Sequence, residues 1–174
     1  MKSSFKYICV AALLASSASQ AYQADITVTA DIDPTAGITK ANGDSLPATV
    51  ALNYNPLHGL EAYKQDVKLW TNDEYDMKVR LQAEPKLTDA SGQNPIDLSV
   101  ALGKADLGVQ DTVYSYSEIF PAGTDNGSMP LSLVIKPKTP GKISTAGKYS
   151  GLVSLIVSQA TTKDGAAPNP TPTP

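Results

Sequence analysis

Cysteine is nearly absent from this 174-residue chain, and its only copy, Cys9, stands close to the N-terminus. The rest of the chain therefore has no disulfide, no thiolate nucleophile and no cysteine ligand for a metal. Histidine is equally scarce, since His58 is the only one. A catalytic triad or a metal site needs partners around such a residue, and the turn-like sequence around His58 favours a solvated loop histidine instead.

Long apolar runs are also missing. The run at residues 7–15 is too short to cross a bilayer, and it follows the positive charges of Lys2 and Lys6. Small residues then lead to Ala21, which predicts a signal peptide, residues 1–21, cleaved between Ala21 and Tyr22. Removing these 21 residues from 174 leaves a mature chain of 153, enough for one domain with a sizeable core.

Positive charge is sparse in the predicted mature chain. Without Lys2 and Lys6 it has 12 basic residues against 17 acidic ones, and the charges are scattered rather than grouped. This balance favours solubility and argues against nucleic acid or an anionic membrane as a partner.

Alternation of apolar and polar side chains is the pattern that the chain does have, and it is typical of strands with one buried face. It recurs between turn-forming clusters at residues 50–54, 63–69, 77–81, 96–102, 131–136 and 149–158. Outside the N-terminal run, no segment keeps a helical period, and residues 115–120 are expected to form one short helical turn or a loop. The sequence therefore predicts an all-β antiparallel sandwich. The expected core is Val50, Leu52, Met77, Val79, Leu81, Ile96, Leu98, Val100, Leu131, Leu133, Val153, Leu155 and Val157.

Motifs for catalysis or cofactor binding are not found: the sequence has no GxGxxG, P-loop, HExxH or GxSxG. Asp73, Glu74 and Asp76 form a small acidic cluster, but their spacing fits no EF-hand loop, and a solvated turn is favoured. The sequence predicts no enzyme, no catalytic residue, no metal and no cofactor.

Trp70 is the only tryptophan, and the alternation of its strand places it with Lys64, Asp66 and Lys68 on the polar face. We therefore expect it at the surface, or covered only by a loop or a neighbouring molecule.

The C-terminal residues 160–174 have almost nothing to bury and are rich in proline and threonine. This composition predicts a disordered tail that is dispensable for folding.

The start of the mature chain is a strand that must bury one face somewhere. Ile26, Val28, Ala30 and Ile32 alternate strictly with polar residues, and Pro34 ends the pattern because proline lacks the N–H of a ladder. Two interpretations remain open. The strand pairs within its own domain, or it fills a groove in a neighbouring molecule by β-augmentation.

Several blocks of the sequence resemble a known family. They are residues 25–34, 41–47, 50–54, 69–73, 87–89 and 145–155. Together they resemble the major pilins of the colonization factor antigen I and CS1 type, which are class 5 fimbriae assembled by the alternate chaperone–usher pathway. The resemblance runs from the cleavage site to about Ser158, with the first and last blocks the most specific.

This resemblance implies an incomplete immunoglobulin-like sandwich at residues 35–159, preceded by a donor-strand extension at 22–34. Ile26, Val28, Ala30 and Ile32 would enter an acceptor groove that contains Val153, Leu155 and Val157 of the next subunit. The implied partners are identical subunits in a head-to-tail helical fibre, a periplasmic chaperone, an outer-membrane usher and a tip adhesin. The implied location is the bacterial surface, after export through the periplasm. Members of the family usually end near the last strand, whereas residues 160–174 follow it here.

A different class of function stays open beside this one. The alternative is a monomeric secreted β-sandwich that binds carbohydrate or a host protein. A tip adhesin is disfavoured, because 153 residues leave no room for a second, receptor-binding domain.

Overall fold

The computed structural model describes residues 36–122 and 127–166, which contain twelve β-strands and one short helix joined by turns and irregular segments. These residues belong to one compact unit. The predicted cleavage site at Ala21 and Tyr22, the donor extension at 22–34 and residues 167–174 lie outside the described residues and stay predictions.

The elements are short, and four strands of five to nine residues carry most of the core. In chain order the elements are β1 (Ala36–Lys40), β2 (Tyr54–Asn55), β3 (Gly59–Leu60), β4 (Tyr63–Thr71), β5 (Met77–Leu81), β6 (Lys86–Asp89), β7 (Ile96–Leu102), β8 (Ala105–Leu107), β9 (Thr112–Tyr114), α1 (Tyr116–Ile119), β10 (Leu131–Pro137), β11 (Tyr149–Ser150) and β12 (Leu155–Gln159). The predicted all-β class is confirmed, and the one helix of the described residues lies inside the predicted segment 115–120.

Two antiparallel sheets enclose the core. The larger has the strand order β1-β4-β10-β7-β6-β11, with β8 also paired to β7, and the smaller has the order β12-β5-β9. The strands β4, β5, β7 and β10 alternate between buried and more exposed side chains, as their sequences predict. Their apolar faces meet between the sheets, which is the expected arrangement of a sandwich.

The predicted strand 149–158 is in fact two strands. The chain leaves the larger sheet after β11, passes Gly151 and joins the smaller sheet as β12, so that β11 pairs with β6 and β12 pairs with β5. A Cβ at Gly151 would overlap the carbonyl oxygen of Lys86. The absence of a side chain therefore lets the two backbones cross this closely.

The predicted core is largely confirmed, and Val50 is the exception. Its side chain is 36% exposed, because residues 47–53 form no strand and have no ladder to fix the phase of their alternation. The confirmed members fall into two groups. Met77, Val79, Leu81, Leu98, Val100, Leu131 and Leu133 are buried, whereas Leu52, Ile96, Val153, Leu155 and Val157 are partly buried.

Trp70 is half-buried and lies under a loop. Its Nε1 donates a hydrogen bond to Oγ1 of Thr39 on β1, and a Cβ at Gly127 would stand 3.0 Å from its ring. The loop is fixed by Ser128, whose N–H donates to the carbonyl of Leu69 and whose Oγ accepts from the N–H of Leu69. A covering loop is one of the three positions expected for this side chain, beside the open surface and contact with a neighbouring molecule.

Residues 160–166 pack against the domain, which contradicts the prediction that the whole segment 160–174 is disordered. Ala160 is buried, and its N–H donates to the carbonyl of Asp76 at 2.7 Å. The N–H of Asp76 in turn donates to the carbonyl of Thr162 at 2.8 Å. The pairing of β12 with β5 thus continues past the end of the strand. The anchors are polar groups, which an argument from apolar content alone does not detect.

Asp76 is buried as well, with 1% of its surface exposed, so it is not part of a solvated acidic turn. Its Oδ1 accepts the N–H groups of Tyr116 and Asp164 at 2.9 and 2.7 Å. Its Oδ2 accepts the N–H of Gly165 and the hydroxyl of Thr162, both at 2.9 Å. A buried carboxylate is stable only when it is fully hydrogen-bonded, and these four donors meet that requirement.

Two carboxylates of this region have lowered pKa values. Burial opposes ionisation of Asp76, but the hydrogen bonds from Gly165, Tyr116, Asp164 and Thr162 outweigh it and hold the pKa below its ordinary value. The exposed carboxylate of Asp164 accepts hydrogen bonds from the hydroxyls of Ser115 and Ser117, which lower its pKa to about 2.

These shifts predict a loss of stability in acid. Well above pH 3.8, the ordinary pKa, both carboxylates are ionised in the folded and the unfolded chain, and the stabilisation is complete. As the pH falls toward about 2, the unfolded chain takes up protons first, so the free energy of unfolding decreases. Urea titrations followed by Trp70 fluorescence between pH 7 and pH 2 measure the effect. The variant Asp164→Asn should show a shallower decrease, and an identical profile would contradict the assignment.

Candidate functional site

An apolar groove of 250 Å³ opens between the sheets beside the last strand. Its floor includes Leu98, Leu133 and Ile135, whose side chains belong to the core. One wall contains Val153 and Leu155, from the end of the crossing and the start of β12. The groove therefore reaches down to the core, although these three floor side chains remain buried.

The wall formed by β12 is a strand with a partner on one side only. The register pairs Leu155 with Leu81 and Val157 with Val79 on β5, which places these side chains on the inner face. β12 is the last strand of its sheet, and within the described residues no strand pairs with its other edge. A row of backbone N–H and C=O groups is thus available to an incoming strand.

Burial differs sharply across this strand pair. Leu81 and Val79 are almost completely buried, whereas their neighbours Leu155 and Val157 are only partly buried although they face the same core. Leu152, at the rim of the groove, is 79% exposed. The core is therefore incompletely covered at β12.

The opposite wall is a segment without regular structure, residues 46–52. Leu46 and Leu52 pack partly against the core, and the exposed side chain of Val50 lines the groove. Farther along, β1 approaches β12 from the other sheet. The groove thus lies between the edge of one sheet and the chain that follows β1.

The structure brings together part of the predicted acceptor site. Val153 and Leu155 line the groove, while Val157 lies farther along β12 on the same inner face. Their predicted role in holding another subunit stays a prediction. Sequence reasoning missed the floor residues Leu133 and Ile135 as parts of a site, because alternation marks them only as core.

No other constellation for chemistry is found in the described part of the chain. There, no group of three or more His, Cys, Asp or Glu side chains could hold a metal ion. His58 is exposed in its turn, where its N–H donates to the side chain of Asn55 at 3.3 Å. A helix long and apolar enough to cross a membrane is likewise not found in residues 36–122 and 127–166.

Comparison with known proteins gives consistent matches. The family model for the CS1 type fimbrial major subunit matches residues 22–158. A CFA/I fimbrial subunit of Escherichia coli is 34% identical over 144 residues, which cover 79% of this chain and 85% of that protein. A CS1 fimbrial subunit of Escherichia coli is 31% identical over 170 residues, which cover 92% and 99%.

Two solved structures are similar to this chain. The CooA pilin subunit from enterotoxigenic Escherichia coli matches with a TM-score of 0.65 and 28% identity, over 75% of this chain and 90% of that one. A chain from a chaperone–tip adhesin complex of CFA/I fimbriae biogenesis matches with a TM-score of 0.55 and 16% identity, over 72% of this chain and 43% of that one. At that identity the second match bears on the fold alone.

The unequal burial of Leu155 and Leu81 predicts unequal costs of truncation. Leu81→Ala should destabilise the isolated domain by about 2–5 kcal/mol, as is usual for a fully buried leucine. Leu155→Ala should cost less than half as much, because its side chain is already in contact with solvent in the groove. Urea denaturation of both variants tests this. Equal losses would mean that the groove is closed in solution.

Proposed function

This chain belongs to the family of CS1 type fimbrial major subunits, and from that premise we propose that it assembles by donor-strand complementation. Family membership makes it a structural subunit of a fimbria, exported to the cell surface. In the proposed assembly, the strand at residues 25–33 enters the groove of the adjacent subunit. Ile26, Val28, Ala30 and Ile32 then lie beside Val153, Leu155 and Val157.

The observation that carries the proposal is the half-covered β12, with one edge that no described strand pairs and an inner face that is only partly buried. An added strand would supply both missing features. It would pair with the open edge of β12, and its apolar side chains would cover the inner face. Its apolar side chains alternate with the period that a groove beside a strand requires. Full burial of Ile26, Val28 or Ile32 contributes about 1.5–3 kcal/mol each, and the smaller Ala30 contributes less.

Length supports the same occupant. The donor segment has nine residues and spans roughly 30 Å when extended. The acceptor side, from Gly151 through the end of β12, also has nine residues, of which the first four are not yet in a strand. An extended donor of this length would therefore lie alongside both residues 151–154 and β12.

The same geometry gives a filament. The donor segment and the groove are different surfaces of one chain, so each subunit gives its strand to one neighbour and receives a strand from another. Such head-to-tail contacts do not close on themselves and produce an open fibre. Pro34 stiffens the exit from the donor segment and favours directing it away from its own domain.

The open edge of β12 also bears on the proteins that the subunit would meet before it enters the fibre. An apolar groove with an unpaired strand aggregates unless it is covered. We therefore include in the proposal a periplasmic chaperone that covers the groove, an outer-membrane usher and a tip adhesin, and we include cleavage of the signal peptide between Ala21 and Tyr22. The relatives are structural subunits, which is not a class of enzymes, and the proposal assigns the chain no catalysis.

Val28→Asp is the direct test. It would bury an unpaired carboxylate in the interface at a cost of several kcal/mol, so the variant should fold and be exported but form no fibres. Thr27→Asp is the matched control, because Thr27 lies on the other face of the same strand and should tolerate the charge. Electron microscopy of cells that carry only the variant chain gives the readout.

Normal fibres from the Val28→Asp chain would refute donor-strand assembly. A chain that remains monomeric in both variants and in the unaltered protein would instead favour the monomeric secreted binding module.

A further inference from the structure

We propose that residues 160–166 form a clasp that holds β12 against β5 in the unassembled chain, where no other described strand pairs with β12. The family match ends at residue 158, so this segment lies beyond the part of the chain that the family model covers. The inference goes beyond the proposed function, because it concerns the chain before assembly and does not require that the donor strand is correctly assigned.

The inner contact of the clasp is the Asp76 carboxylate. It stands directly before β5 and accepts hydrogen bonds from Thr162, Asp164 and Gly165, so three clasp residues are tied to one buried charge. The backbone adds two further hydrogen bonds, from the N–H of Ala160 to the carbonyl of Asp76 and from the N–H of Asp76 to the carbonyl of Thr162.

A second contact ties the clasp to α1. The side chain of Asp164 accepts hydrogen bonds from the hydroxyls of Ser115 and Ser117 and from the N–H of Ser117. Ser115 is the N-cap residue of α1, yet its side chain makes no capping hydrogen bond within the helix. The N–H groups at the start of this helix find their acceptors outside it: Tyr116 donates to Asp76, and Ser117 donates to Asp164 of the clasp.

A third contact lies at the surface. Lys163 pairs with Glu74 in the turn before β5, and its ammonium stands 5.1 Å from the ring centroid of Tyr116. Exposed ion pairs of this kind contribute little by themselves. Here the pair and the ring hold the clasp on the side that faces solvent, while Asp76 holds it from inside.

The two ends of β12 are therefore held very differently. At the start of the strand, the carbonyl of Ser154 accepts one hydrogen bond from Gln82, and the crossing at Gly151 precedes it. At its end, the clasp supplies contacts to Asp76 directly before β5, to α1, and to Glu74. A five-residue strand with a ladder on one side opens readily by local unfolding, and the clasp opposes that opening from the C-terminal end.

Amide hydrogen exchange of the processed, monomeric chain tests the clasp. A chain that ends at residue 159 should exchange the amides of β12 at least tenfold faster than the full chain, while those of β7 and β10 change much less. A chain that ends at residue 166 is the matched control, and its β12 should exchange like that of the full chain.

A milder variant keeps the test decisive if the chain ending at 159 does not fold. Ser115→Ala combined with Ser117→Ala removes the hydroxyl donors to Asp164 in the full chain and should accelerate exchange in β12 several-fold. Unchanged exchange at β12 in the variants that fold would overturn the proposal. An equal acceleration in β7, β10 and β12 would also overturn it, because the segment would then stabilise the whole domain rather than the edge strand.

Discussion

The ladder between β5 and β12 is the interaction on which the open side of this domain depends. It is the only strand pairing that holds β12 in the described structure, and the inner face of β12 forms one wall of the groove. The core beneath is otherwise well packed, since the partner strand β5 is buried at every second position. Among the described residues, the sandwich therefore has one edge, β12, that pairs on one side only and whose inner face is only partly buried. In the proposed assembly, the donor strand would complete both the hydrogen bonding and the burial at this edge.

Sequence alone was sufficient for the strands whose two faces meet different surroundings. β4, β5, β7 and β10 each have the core on one side and solvent on the other, so their alternation specifies strand and phase together. The same reasoning placed Val153 and Leu155 on the inner face, where the structure finds them beside the groove. It gave no indication of β1, β8 or β9, which are too short or too interrupted by glycine for a period to be visible.

The errors of sequence reasoning share a physical cause. Contacts made by the backbone and by polar side chains produce no alternation of apolar residues in the sequence, so the pattern does not reveal them. Val50 alternates correctly with its neighbours, but its segment has no ladder partner, so nothing fixes it inward. Asp76 was assigned to a solvated turn because its four donors come from residues about 40 and about 90 positions away in the chain. Residues 160–166 were assigned to a tail for the same reason. The crossing at Gly151 depends on the approach of the Lys86 carbonyl, which a local pattern does not record.

The position of β1 has a mechanical consequence. In a fibre built as proposed, tension enters each subunit where β1 begins and leaves it through the strand seated beside β12. β1 and β12 approach each other, so the line of force crosses the domain at one side instead of running through its length. Ala36 is held to the domain through the five residue pairs of β1 with β4, which therefore bear the incoming pull. In such a fibre, the link from one subunit to the next would be borne by two neighbouring edge strands, β1 and β12.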